Sequence, residues 1–171
     1  GRAFDLKAAL VVALLESRPE HSPIVLDIDN FIRRDFSDVL DNIPHSASIA
    51  MPPSPQEPYS KPIVVPSSRW GGVNGPVPEH TSSFMVFKGG RIGDVTSAMY
   101  RAVIAEATDV EYNHYLREQR SWSVAWAHLN HVGLAHLLPK TMGWSRFWNP
   151  REPADTYVRH KHGKEKWDAT P

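Results

Sequence analysis

The apolar run Ile24-Val25-Leu26 ends in two carboxylates one residue apart, Asp27 and Asp29. A short continuous run of this kind predicts a strand over residues 24–28, covered on both faces. Both acids then stand at its carboxyl end, where open α/β sheets bind their ligands. Two hard oxygen donors at such an edge suit magnesium or manganese, and such a metal usually brings phosphate with it. Adjacent surface acids are common, so it is the position after an apolar run that gives the pattern its weight.

The rest of the chain is consistent with one α/β domain over residues 1–171, long enough to bury a substantial core. Asp5–Ser17 predicts a helix with Leu6, Ala9, Leu10, Ala13 and Leu14 on one face and Val11, Val12 and Leu15 on another, greasy enough to be buried. Asp35 resembles a helix cap ahead of Phe36, Val39 and Leu40. Further strands are expected over 47–51, 83–87 and 156–159. Helices are expected from a cap at Asp94 to about Thr108, and over 111–130. Tyr115, Trp122, Trp126 and Leu129 form a stripe along the second of these, which reads as core. Eight of the fifteen prolines fall in 52–78, which predicts a long irregular loop in which Tyr59 and Trp70 could cover a ligand.

Composition excludes several classes. Lys and Arg balance Asp and Glu at 19 each, so no global field draws the chain to nucleic acid or acidic lipid. With no cysteine, disulfides and thiolate zinc sites are ruled out. No apolar stretch reaches membrane-spanning length and no leader is visible, which favours a cytoplasmic location.

Two further elements carry chemistry. The stretch His160 to Trp167 reads His-Lys-His-Gly-Lys-Glu-Lys-Trp. Imidazole can join carboxylates around manganese, lysines can neutralise a diphosphate, and Gly163 allows close backbone approach. A frayed basic tail is the bland alternative. Glu118-Gln119, on or at the start of the long helix, could position a polyhydroxylated substrate, although a solvated helix face would read the same way.

Taken together and in order, these residues resemble the GT-A glycosyltransferases, in particular the glycogenin and lipopolysaccharide galactosyltransferase group. That family carries an apolar run followed by D-x-D and an apolar pair, matched by Val25 to Ile32, and ends in H-x-x-G-x-x-K-P-W. Here His160, Gly163, Lys166 and Trp167 keep the register, and the proline is missing. The family's N-x-G strand is replaced by Thr81-Ser82-Ser83 before Phe84-Met85-Val86-Phe87. Its acidic-Gln pair is matched by Glu118-Gln119, its upstream basic residue by Lys7, and its Leu-Pro…Asn segment by Leu138-Pro139 to Asn149.

The resemblance implies a mixed, twisted sheet flanked by helices, with Mn2+ or Mg2+ held by Asp27, Asp29 and His160. His162 competes as third ligand, and His160 keeps the better spacing. Gly163 and Lys166 would contact the diphosphate and Lys7 the donor sugar or phosphate. Ser82 and Ser83 would lie on the substrate side, with Gln119 and Glu118 near the anomeric carbon. The implied partners are a nucleotide-sugar donor and an acceptor that is glycan, lipid or protein more readily than nucleic acid. Retention at the anomeric carbon is implied as well. In this fold the base is bound mostly by strands preceding D-x-D. This chain opens one helix before it, so that half is expected from another segment or chain. Two alternatives remain: a haloacid-dehalogenase-like phosphatase with Asp27 as nucleophile, and a non-catalytic glycosyltransferase remnant serving as a binding subunit.

Overall fold

The computed structural model describes residues 2–54, 63–65, 75–107, 117–145 and 151–160. Its centre is a four-stranded mixed sheet in the order β1 (Ile24–Leu26), β6 (Phe84–Phe87), β3 (Ile49–Met51), β7 (Ala135–Leu137). β6 runs antiparallel to both β1 and β3, whereas β3 and β7 are parallel. Two smaller antiparallel pairs lie outside it. One joins β2 (Asn30–Ile32) to β8 (Val158–His160), and the other joins β4 (Ile63–Val65) to β5 (Gly75–Val77). The proline-rich span 52–78 is therefore not wholly irregular. Tyr59 and Trp70 lie outside the described residues.

Strand alternation sorts the core into two layers. Ile49, Met51, Met85 and Phe87 face helices α1 (Arg2–Ser17), α3 (Ile92–Ala107) and α4 (Arg117–His131). Ala50, Phe84 and Val86 face the opposite way, against Val39 and Ile43 of the α2 region (Ser37–Asp41), Leu138, Met142 and Val158. β3 and β6 are thus buried on both sides, and their uninterrupted apolar runs are the sequence signature of that burial. Trp122, Trp126 and Leu129 all enter the first layer, as a core stripe should.

Several expectations need correction. β1 is not covered on both faces. It is the sheet's outer strand and ends at Leu26, with Ile24 and Leu26 more than a third exposed and only Val25 packed against the core. The helix over Asp5–Ser17 is extended to Arg2–Ser17 but is not buried all round. Val11 and Leu15 are buried, while Leu10 and Leu14 on the other apolar face stay exposed at 61% and 48%. Asp94 does not cap α3, which begins two residues earlier. Its carboxylate instead accepts from the Ser48 hydroxyl at 3.2 Å, with Arg91 at 3.9 Å. Asp35 acts one residue ahead of the cap position, accepting from the Ser37 amide at 2.9 Å and the Ser37 hydroxyl at 2.6 Å. These two bonds hold its carboxyl below the usual range.

Two glycines set corners that position the site. Gly133, at φ +75°, stops α4, and the Leu134 amide then reaches back to the Leu129 carbonyl at 2.8 Å in a Schellman turn leading into β7. At Gly143 a Cβ would come within 2.9 Å of the Thr81 methyl, so the segment before Trp144 closes tightly on the segment before β6.

Candidate metal centre

The acidic doublet lies in a tight turn between β1 and β2, closed by the Asn30 amide donating to the Asp27 carbonyl at 3.0 Å. Ile28, at the tip, is fully exposed, while Asp27 and Asp29 on either side are half-buried. The turn is anchored to the sheet through one acceptor. The Ser83 carbonyl takes the Asp27 amide at 2.9 Å and also the side-chain amide of Asn30.

The third member arrives from the other end of the chain. β8 pairs with β2 in a register that sets Val158 opposite Ile32, Arg159 opposite Phe31 and His160 opposite Asn30. On its other side, the Trp144 amide donates to the Val158 carbonyl at 3.1 Å and the His160 amide donates to the Trp144 carbonyl at 2.7 Å. Arg33 and Arg159 both reach Glu152, at 3.5 Å and 3.7 Å, and tie the ends of the ribbon together. His160 is therefore held by backbone on both flanks and is 9% exposed.

Asp29 Oδ1 lies 3.0 Å from His160 Nε2. One ligand atom from each of Asp27, Asp29 and His160 lies within 4.8 Å of the others. Two ligands each about 2.2 Å from one ion lie no more than about 4.4 Å apart, so rotamer adjustment would suffice for all three to share a cation. Two carboxylates and an imidazole form a mixed oxygen and nitrogen set that suits manganese better than magnesium, whose shell is almost wholly oxygen. Among the described residues this is the group of carboxylates and imidazoles with metal-site spacing.

The other expected residues divide by position. Ser82 and Ser83 are buried in the turn leading to β6, and the Ser83 amide and hydroxyl both bond the Thr81 hydroxyl, at 3.2 Å and 2.9 Å. Gln119, on α4, donates through Nε2 to Glu79 Oε1 at 2.7 Å, and Glu79 is only 7% exposed. Glu79 was not singled out in the sequence. Nothing in the spacing links it to Gln119, which comes forty residues later. Lys7 and Glu118 lie on α1 and α4, with side chains outside the described residues. His162, Gly163 and Lys166 also lie outside them.

A separate cleft of about 590 Å³ opens at the carboxyl ends of the parallel pair β3 and β7, lined by Asp38, Asn42, His136, Leu138, Lys140 and Tyr157 among others. The Tyr157 hydroxyl donates to the Asp38 carboxylate at 2.9 Å, which raises the phenol's pKa. The Arg34 guanidinium sits 4.6 Å over the same ring.

No family model matches the chain, and no curated protein matches it in sequence. Among solved structures, its backbone resembles that of the galactosyltransferase LgtC, determined in complex with donor and acceptor sugar analogs. The two share 15% identity at a TM-score of 0.44, over 84% of this chain and 53% of that one. The chain thus spans about half the length of that protein. Among the described residues no helix is long and apolar enough to cross a membrane.

Proposed function

We propose that this chain is the metal- and sugar-side part of a divalent-cation-dependent glycosyltransferase, moving a sugar from a nucleoside-diphosphate sugar to an acceptor hydroxyl. The observation that supports this reading is the convergence of Asp27, Asp29 and His160, drawn from opposite ends of the chain by the β2–β8 ribbon.

The reaction breaks the bond between the anomeric carbon and a diphosphate oxygen and forms one to the acceptor oxygen. The nucleoside diphosphate leaves with the bonding pair, and the acceptor hydroxyl gives up its proton. Negative charge grows on the leaving oxygen, so cationic groups held there favour the transition state over the ground state. Mn2+ or Mg2+ bound at this centre supplies such Lewis acidity. Asp27 and Asp29 hold it through oxygen, and His160 through Nε2. In this reading Gly163 and Lys166, close behind β8 in sequence, contact the diphosphate, and Lys7 faces the donor sugar or phosphate. Ser82 and Ser83 border the donor sugar. Gln119, oriented by Glu79, lies with Glu118 beside the anomeric carbon. The outcome is retention. The base is held by a further segment or chain, and the mixed polar and apolar cleft beside Tyr157 offers room for a glycan, lipid-linked or peptide acceptor.

The test is a panel of sugar nucleotides with Mn2+, read as nucleoside diphosphate release and as thermal stabilisation by the diphosphate product. The expected result is release that needs the metal and disappears in Asp29→Ala. Neither release nor metal-dependent stabilisation by any uridine or guanosine diphosphate would sink the proposal and leave a non-catalytic binding subunit. Inorganic phosphate released from a monoester would move the assignment to a phosphatase with Asp27 as nucleophile.

A further inference from the structure

Asn30 follows the acidic doublet directly, and three observations bear on what its side chain does there. It stands opposite His160 in the β2–β8 register, and directly paired residues of antiparallel strands carry their side chains on the same face, with Cβ atoms about 4.5–5.5 Å apart. Its Nδ2 donates to the Ser83 carbonyl, the same oxygen that receives the Asp27 amide. A carbonyl accepts only, so the amide's nitrogen must face Ser83 and its oxygen must point elsewhere. That oxygen, Oδ1, is buried and has no hydrogen-bond partner. A buried acceptor left unpaired is costly, and such an atom beside a functional site calls for an explanation.

We propose that Asn30 Oδ1 is a fourth protein ligand of the cation held by Asp27, Asp29 and His160. This rests on the metal-centre reading above and extends it. An amide carbonyl is a hard oxygen donor of the kind that manganese, magnesium and calcium accept. Three ligands leave an octahedral ion half dressed, and a fourth from the turn itself brings the set to three oxygens and one nitrogen. The bond from Nδ2 to Ser83 fixes the amide plane, so the oxygen is presented without loss of side-chain freedom on binding. The short side chain thus does two things at once: it ties the turn to the sheet and turns its carbonyl inward.

Ion selectivity separates a ligand from a mere tether. Zinc is satisfied by two carboxylates, an imidazole and a water in a tetrahedron, whereas manganese and magnesium seek six ligands. Titration of the full chain with each ion should show Asn30→Ala weakening Mn2+ binding by at least about tenfold. Zn2+ binding should stay within about threefold of the parent, since a tetrahedral set does not need the amide. The 15N resonance of the Asn30 side-chain amide should also move on adding Mg2+ to the unsubstituted chain. Equal losses for both ions would make Asn30 a tether only and overturn the inference, as would unchanged Mn2+ affinity or an amide resonance that stays put. If the unsubstituted chain binds neither ion, the metal centre itself falls. If it binds both and the variant binds both with the parent's affinities, only the role of Asn30 falls.

Discussion

His160 Nε2 lies 3.0 Å from Asp29 Oδ1, although the two residues come from opposite ends of the chain. Neither position is a matter of side-chain reach. Asp29 is set by a turn hung from the Ser83 carbonyl, and His160 by a strand bonded on both sides. The backbone delivers the two groups to one place, as a preorganised site requires.

Metal binding should therefore be measurable as stability. Mn2+ at a hundred times its dissociation constant raises the unfolding free energy by about 2.7 kcal/mol, or roughly 5–10 °C in Tm for a chain of this size. In Asp29→Ala and His160→Ala this shift should vanish, while circular dichroism at 25 °C shows the fold retained. A full shift in either variant would remove that residue from the ligand set.

Gly143→Ala should destabilise the protein by about 1–3 kcal/mol, the usual cost of overpacking. Its new methyl would meet the buried Thr81 methyl at 2.9 Å and the Pro52 ring at 3.2 Å. Urea unfolding is the measurement. Because Gly143 precedes Trp144, whose backbone brackets His160, Mn2+ affinity should fall in the same variant.

Trp122→Ala should cost about 3–5 kcal/mol, as for a large buried aromatic. The residue is fully buried between α4 and the sheet, its ring 5.6 Å from that of Phe87. Denaturant unfolding of this variant beside Trp122→Phe reads the difference. A near-neutral alanine variant would show that the aromatic stripe is not core.

The Tyr157 phenol should ionise above the ordinary tyrosine range, chiefly because its hydroxyl donates to the Asp38 carboxylate. Its folded pKa is raised, so the bond's contribution is complete below about pH 10, the unfolded value, and is lost as pH rises through the folded value. Asp38→Asn should bring the ionisation down. Absorbance titration near 295 nm, taken as the difference from Tyr157→Phe, isolates this phenol from the others.

Local sequence made part of this legible. The runs at Ile49–Met51 and Phe84–Phe87 are uninterrupted apolar stretches because both sheet faces are covered. The stripe through Trp122, Trp126 and Leu129 has helical spacing, and it does face the core. The grouping of Asp27, Asp29 and His160 was an expectation from the resemblance, whose pattern sets His160 three residues before Gly163; the three lie together in the fold, and His162 lies outside the described residues. Less was readable where neighbours decide. The apolar run at Ile24 carries no mark that its strand lies at an edge. The two apolar faces of α1 look alike until packing buries Val11 and Leu15 and leaves Leu10 and Leu14 outside. Nor does anything local relate Gln119 to Glu79.

By itself the sequence determined which groups could bind a cation, because hard oxygens and an imidazole are properties of Asp27, Asp29 and His160 wherever they stand. It also determined the apolar segments that must be removed from water. Only the tertiary structure decided that these donors meet. The β2–β8 pairing that joins them is three residues long on each strand, too short to leave a periodic trace. The ladder continues through the Arg33 amide, which donates to the Tyr157 carbonyl at 2.8 Å, while Trp144 bonds the other edge of β8 and Val158 packs in the core, all long-range contacts that no local pattern encodes.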